Sequence, residues 1–237
     1  MTQEPATFCV KILSPLQATA DDLARRQKRY AAHAGAHTRV QVDNLQGGPA
    51  ALNSSGDVLA SAAAIYRQAL ETSPDAWQAI LIDCVFDPAV DEIREATGIP
   101  TFGPTRTTLP LIPLVAGNFS IIARSRRQCE LLAHLVENEG YGNYLQSLQA
   151  LDISYEEAKQ PQIFTRVMSD RLRSAVNDDG AEAILFGSTT MALDDALRAA
   201  AGDAPLFMPG MVTLRVMEQL WEDGLWPATT SHRSQGA

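Results

Sequence analysis

The sequence predicts an α/β fold of two pseudo-symmetric lobes, each a short parallel sheet flanked by helices, with the active site in the cleft between them. Three observations predict it. Short apolar runs alternate with helix-period stretches along the whole chain. Helical stretches of about ten residues or more separate the strands, which calls for crossover connections and parallel pairing. The order of elements then recurs, residue against residue, in the two halves. A chain of 237 residues is long enough for one large domain or two small ones.

The first half reads as follows. Residues 8–13 form an apolar strand closed by Ser14-Pro15, and residues 20–34 a helix that opens on Asp21 and Asp22, where the dipole favours acid. A strand at 38–42 ends in the breaker Asn44-Leu45-Gln46-Gly47-Gly48-Pro49, and a helix covers 57–72. A buried strand at 79–84 precedes a helix at 88–97 that Gly98 can stop. A short strand at 100–102 and a helix at 105–115, interrupted by Pro110 and Pro113, complete it.

The second half repeats the grammar. A strand at 119–123 and a helix at 126–137 lead into the poorly patterned stretch 141–154, read as loop with room for a short strand. The stretch 156–176 is helical after Pro161, then come a strand at 183–186, a helix at 192–201, a strand at 205–207 and a helix at 212–222. The tail beyond Gly224 has no core pattern and is expected to be mobile.

The repeat can be written out. Residues 79–84 lie over 183–188, followed by Asp91 over Asp195, Arg94 over Arg198, Ala96 over Ala200 and Gly98 over Gly202. After a one-residue insertion Pro100 matches Pro205, Phe102 matches Phe207, Pro104 matches Pro209, and Thr108-Leu109 matches Thr213-Leu214. The expected division is residues 1–105 with 210–225 as the first lobe, 106–209 as the second and 226–237 as the tail. Equivalence places Cys84 and Ser188 just past the carboxyl ends of matching strands, the edge where open α/β sheets bind ligands. Helix N-termini at that edge favour anions and lower a thiol's pKa, so Cys84 is expected to be acidic.

Composition narrows the function. With 28 acidic against 19 basic residues, a net charge of −9, the chain is a poor match for phosphate backbones, so no nucleic-acid partner is expected. No apolar run approaches the roughly 20 residues that span a bilayer, and the first residues lack a signal-peptide layout; a cytoplasmic protein with no membrane partner is expected. Three scattered cysteines, Cys9, Cys84 and Cys129, suit neither a disulfide framework nor a zinc knuckle. No GxGxxG, P-loop or HxxE-type spacing is present, so no cofactor or metal is indicated.

Several segments resemble the aspartate/glutamate/hydantoin racemase superfamily. Ile82-Asp83-Cys84-Val85-Phe86-Asp87-Pro88 is similar to its first cysteine loop, and Gly98-Ile99-Pro100-Thr101-Phe102-Gly103 to the strand that follows. Gly117-Asn118-Phe119-Ser120-Ile121-Ile122 resembles the strand opening the second lobe, and Leu185-Phe186-Gly187-Ser188-Thr189-Thr190-Met191 the second cysteine loop. The resemblance implies a two-lobed, cofactor-independent racemase or isomerase with one cysteine per lobe, in a superfamily that includes maleate isomerase and arylmalonate decarboxylase. It implies a small carboxylate or cyclic amide as substrate. Here Ser188 stands where the second cysteine is expected, Ser14-Pro15-Leu16-Gln17 keeps the entrance proline without the usual asparagines, and Arg106 falls near a position that is often acidic.

A two-base racemase needs a proton acceptor on one face of a carbon and a donor on the other. Cys84 can be a thiolate base or nucleophile; Ser188, an alcohol, is a far weaker acid. Three readings of Ser188 stay open: one-sided chemistry such as decarboxylation, elimination or hydrolysis; a cysteine replaced to trap a ligand; or a substrate hydrogen bond. A non-catalytic small-acid binding protein is the alternative of a different class. Ser14, Thr189 and Thr190, with the N–H groups of Val85, Phe86 and Thr189, could hold a carboxylate or enolate oxygen, or serve as ordinary caps. Asn44 could orient a substrate amide or satisfy a turn. Arg106 could pair with a second carboxylate. His33, His37, His134 and His232 read as surface groups, Cys9 and Cys129 as packed thiols, and Arg124-Ser125-Arg126-Arg127 as a charged helix start. A homo-oligomer is compatible with all of this.

Overall fold

The computed structural model describes residues 7–158 and 160–227. Its first sheet holds β1 (Phe8–Leu13), β2 (Thr38–Asp43), β3 (Ala79–Ile82) and β4 (Thr101–Phe102), all parallel, in the order β2-β1-β3-β4. The second holds β5 (Phe119–Ala123), β6 (Leu145–Ala150), β7 (Ile184–Phe186) and β8 (Leu206–Phe207), in the order β6-β5-β7-β8, again parallel. Position by position the two orders match. The predicted α/β architecture of two pseudo-symmetric parallel sheets is therefore the observed one.

The helices are α1 (Ala20–His33), α2 (Ser55–Ala69), α3 (Val90–Thr97), α4 (Pro104–Thr108), α5 (Arg126–Asn138), α6 (Tyr155–Ala158), α7 (Pro161–Arg173), α8 (Asp195–Ala201) and α9 (Pro209–Glu222). Side chains cap α1, α2, α5 and α8: Thr19, Ser54, Ser125 and Asp194 each accept a first-turn N–H. Matching glycines follow α3 and α8, Gly98 and Gly202, both at positive φ, where a side chain would be strained. Matching prolines, Pro104 and Pro209, open α4 and α9.

Three stretches differ from expectation. The helix expected to run to 176 is α only to Arg173 and passes into a π turn over Ser174–Asp178. The helix over 105–115 is α over five residues and 3-10 from Leu109 to Leu114, because Pro110 and Pro113 donate no N–H to an α ladder. The stretch 141–154 contains the full edge strand β6, six residues long, whose half-exposed side chains left no apolar signature.

Each sheet is covered on both faces. In the first, α2 and α3 bury Leu45, Ile65, Ile80, Ile82 and Ile93, while α1 and α9 bury Phe8, Val10, Tyr30, Leu214 and Met217 on the opposite side. In the second, α7 and α8 enclose Ile122, Met168, Leu172, Ile184 and Leu197, and α5 covers Phe119, Ile121 and Leu185. The last helix of each repeat crosses over. Leu109 and Ile112, which follow α4, pack on the second sheet, and α9 packs on the first. At the crossing, buried Thr213 donates its hydroxyl to the Pro104 carbonyl at 3.4 Å.

The expected tail opens on an anchored residue. Trp226 stacks on Phe102 with centroids 5.6 Å apart, lies edge-on to Phe8 and Trp221, and donates its indole N–H to the Gln78 carbonyl at 3.3 Å. Aromatic burial overrides the lack of a periodic pattern there. Residues 228–237, His232 among them, lie outside the described residues.

Candidate active site

β3 and β7 carry the two candidate catalytic residues beyond their carboxyl ends in the same way. The Asp83 N–H donates to the Leu13 carbonyl at 2.9 Å, and the Gly187 N–H to the Ile122 carbonyl at 2.8 Å, each extending its strand by one residue. Gly187 is required: a Cβ there would lie 2.6 Å from Ala123 Cβ. Cys84 and Ser188 come next.

Cys84 is only 3% exposed and belongs to the apolar cluster that also holds Leu13, Leu45, Leu52, Ile82 and Val90. Burial pushes its thiol well above the usual range, and the carboxylates of Asp87 and Asp83 push the same way, against the Phe86 N–H and the Arg26 charge. The expectation of an acidic thiol is thus overturned. Helix α3 begins only at Val90, too far along to compensate for lost hydration.

The loop after Cys84 is fastened by Asp87, at φ 47° and 8% exposed. Its carboxyl accepts the N–H groups of Thr105 at 3.2 Å and Arg106 at 2.6 Å, capping α4. Gly103 makes room for it, since a Cβ there would lie 2.4 Å from Asp87 Cγ. Burial raises the Asp87 carboxyl to about 8 despite the two N–H donors. Thr105 Oγ1 also donates to the Val85 carbonyl at 2.6 Å.

Ser188 is half-buried. Its hydroxyl pairs with Thr190 Oγ1 at 2.9 Å and accepts the Thr190 N–H at 3.2 Å. Buried Thr189 donates its hydroxyl to the Asp83 carbonyl at 3.2 Å. The residue after Ser188 therefore touches the residue before Cys84, and the two predicted loops meet.

A polar network on α1 supports that meeting. Asp83, 1% exposed, accepts the Tyr30 hydroxyl at 2.7 Å and forms a buried ion pair with Arg26. Arg29 donates to the carbonyls of Thr189 and Thr190, at 2.7 Å each. Sequence reading assigned no role to Arg26, Arg29, Tyr30 or Asp83. A signal was present, because Arg26 and Tyr30, four apart, share one face of the helix, the face that is buried.

The other expected site residues fall as follows. Ser14 is fully buried after β1, its hydroxyl turned onto the Leu16 carbonyl at 3.0 Å. Asn44 accepts the Ala18 N–H at 2.7 Å and donates to the Ala18 carbonyl at 2.8 Å, the turn-forming alternative. Among the described residues the N–H groups of Val85 and Thr189 meet no acceptor, whereas that of Phe86 lies where it favours the Cys84 thiolate. Arg106 bridges Asp91 at 2.6 Å and Glu139 at 3.0 Å, a strut between α3 and the end of α5. His33, His37 and His134 are exposed, Cys129 is buried and Cys9 half-buried. Among the described residues no helix is long and apolar enough to cross a membrane.

Known proteins share this fold. An allantoin racemase from Klebsiella pneumoniae superposes with a TM-score of 0.83 at 20% identity, over 96% of this chain and 92% of its own. The maleate isomerase from Pseudomonas putida S16 does so at 0.68 and 14% identity, over 92% and 94%. A hydantoin racemase from Paenarthrobacter aurescens is 28% identical over 195 residues, 77% of this chain and 78% of its own. The family model of Asp/Glu/Hydantoin racemase matches residues 10–216, and the chain belongs to that family of racemase-type enzymes.

Proposed function

We propose that this chain exchanges the proton at the carbon beside a carbonyl in a small cyclic amide of the hydantoin type, without a cofactor, through Cys84 on one face and Ser188 on the other. The observation that carries the reading is the Thr189–Asp83 hydrogen bond, which brings the two strand-end loops together across the pseudo-twofold axis. The hydantoin class is favoured over a free carboxylate by the names of the relatives.

In the two-base scheme one residue removes the proton and the other returns one to the opposite face. The intermediate is an enolate; its oxygen would be held by the N–H groups of Val85 and Thr189, a role supported by their having no acceptor among the described residues, with Phe86, Thr190 and Ser14 shaping the surroundings. Burial holds Cys84 as a thiol at rest. It passes its proton to solvent to become the base toward one enantiomer, and Ser188 then protonates the opposite face. Exchange with solvent reprotonates Ser188 and removes the proton that Cys84 has taken up. Ser188 is the weaker partner, so crossing between faces is slower than return of the proton to the Cys84 face. The lobes are 1–105 with 210–225 and 106–209, and the packing of α9 on the first sheet supports that division. A cytoplasmic location is consistent with three unpaired cysteines.

The test uses both enantiomers of 5-benzylhydantoin in heavy water, followed by proton NMR and optical rotation. Deuterium should enter one enantiomer faster than its rotation decays, and Cys84→Ala should abolish both. Retained exchange in that variant, or none in the unmodified protein, rejects the reading. Ser188 favours one further arm: a one-cysteine decarboxylase would release carbon dioxide from a malonate-type acid. Stabilisation by a small acid without turnover would mark a binding protein instead.

A further inference from the structure

We propose that Arg29 is a positioning residue for Ser188, acting from the first lobe through the peptide group that joins Thr189 to Thr190. The inference rests on Ser188 holding the second catalytic position, as argued above. The Nη1 of Arg29 donates to the Thr189 carbonyl and Nη2 to the Thr190 carbonyl, both at 2.7 Å. A trans peptide is planar, with its C=O and N–H on opposite sides. The carbonyl of Thr189 therefore shares a plane with the N–H of Thr190, which donates to Ser188 Oγ at 3.2 Å. One rigid amide links the guanidinium to the hydroxyl.

Two effects follow. Pinning the carbonyl aims the N–H, and with it the lone pair of Ser188 that accepts it. A cation on the carbonyl also polarises the amide and strengthens its N–H as a donor. A stronger donor favours the negative charge that Ser188 Oγ acquires as it gives up its proton.

The two lobes differ in how their loops are held. The Cys84 loop is fastened from within, by Asp87 on the first turn of α4 and Thr105 on Val85. At the place of Asp87 the second repeat has Met191, an apolar side chain buried in the second core, and among the described residues no side chain caps α9. The Ser188 loop takes its fixation from α1 of the other lobe instead.

The test is a double-mutant cycle on 5-benzylhydantoin in heavy water, with Arg29→Gln, Arg29→Lys, Ser188→Ala and the double variant Arg29→Gln/Ser188→Ala. Arg29→Gln should lower kcat for racemisation about tenfold or more, with KM within about threefold, as expected for a misaligned group. Deuterium exchange with retention at the Cys84 face should stay within about twofold. Arg29→Lys should recover part of the loss, since an ammonium has no two-pronged geometry. The double variant should be no slower than Ser188→Ala, because both act on one group. Losses that multiply, or an equal loss of retention exchange, overturn the role of Arg29. If Ser188→Ala racemises normally, or the unmodified protein does not racemise, the reading of the site fails first and the proposal with it. Should Arg29→Gln not fold, Arg29→Lys in the same cycle decides by the same criterion.

Discussion

The hydroxyl of Thr189 donates to the carbonyl oxygen of Asp83 at 3.2 Å, joining the two strand-end loops inside the protein. Both residues are nearly inaccessible, at 6% and 1% exposure, so water cannot replace the bond. Thr189→Val keeps the volume and leaves the Asp83 carbonyl unsatisfied, which costs about 1–3 kcal/mol. For a chain of this size each kcal/mol is worth about 2–4 °C, so the melting temperature should fall by several degrees. Thr189→Ser, which restores the donor, should recover most of the loss. Calorimetry on the three proteins checks this, and equal melting of the Val and Thr forms would show that the contact contributes nothing.

Asp87 gives a pH dependence of definite sign. Burial raises its carboxyl to about 8, whereas the unfolded chain holds an aspartate near 3.9. Between these values the native state keeps a proton that the unfolded state has lost, so unfolding releases a proton. Its contribution to stability is complete below about pH 4, falls as the pH rises, and is exhausted above about 8. Asp87→Asn cannot titrate. The stability of the unmodified protein relative to this variant should therefore decline from pH 5 to about 8 and then level off. Urea denaturation across that range measures it, and a flat or rising difference contradicts the assignment.

Much of the fold was legible because its strands are continuous apolar runs, as sheets covered on both faces require. The repeat also exposed the pseudo-symmetry directly, through paired prolines and glycines that hold equivalent backbone positions at α4 and α9 or after α3 and α8. β6 was not legible: an edge strand reading Leu-Gln-Ser-Leu-Gln-Ala carries its pattern in partners such as Ser120 and Asp179, distant in sequence. The pair Cys84 and Ser188 could be named from register alone. What surrounds them could not, because Arg26, Arg29 and Tyr30 sit on a helix whose other faces are solvated, and only the tertiary fold turns them onto Asp83 and the Ser188 loop. The same gap explains the thiol. Sequence places Cys84 ahead of a helix, but the apolar cluster in which it is buried is built with side chains from other elements, Leu13, Leu45 and Leu52 among them.

Cys84 in its ligand-free state should accordingly be a slow nucleophile. Alkylation needs thiolate and access, and at 3% exposure, with Asp83 and Asp87 beside it, the sulfur has little of either. With iodoacetamide near neutral pH, half-buried Cys9 should label first, while Cys84 and Cys129 wait for the protein to open. The rate at Cys84 should climb past the ordinary thiol value of about 8.5 without a midpoint below it. Peptide mapping by mass spectrometry resolves the three sites. Cys84→Ala should remove turnover and lower stability by only about 1 kcal/mol, since a single sulfur is lost from an otherwise intact cluster. Rapid labelling of Cys84 with an acidic midpoint would mean that the folded protein spends its time with the loops apart, and that the Thr189–Asp83 contact forms only when substrate draws them together.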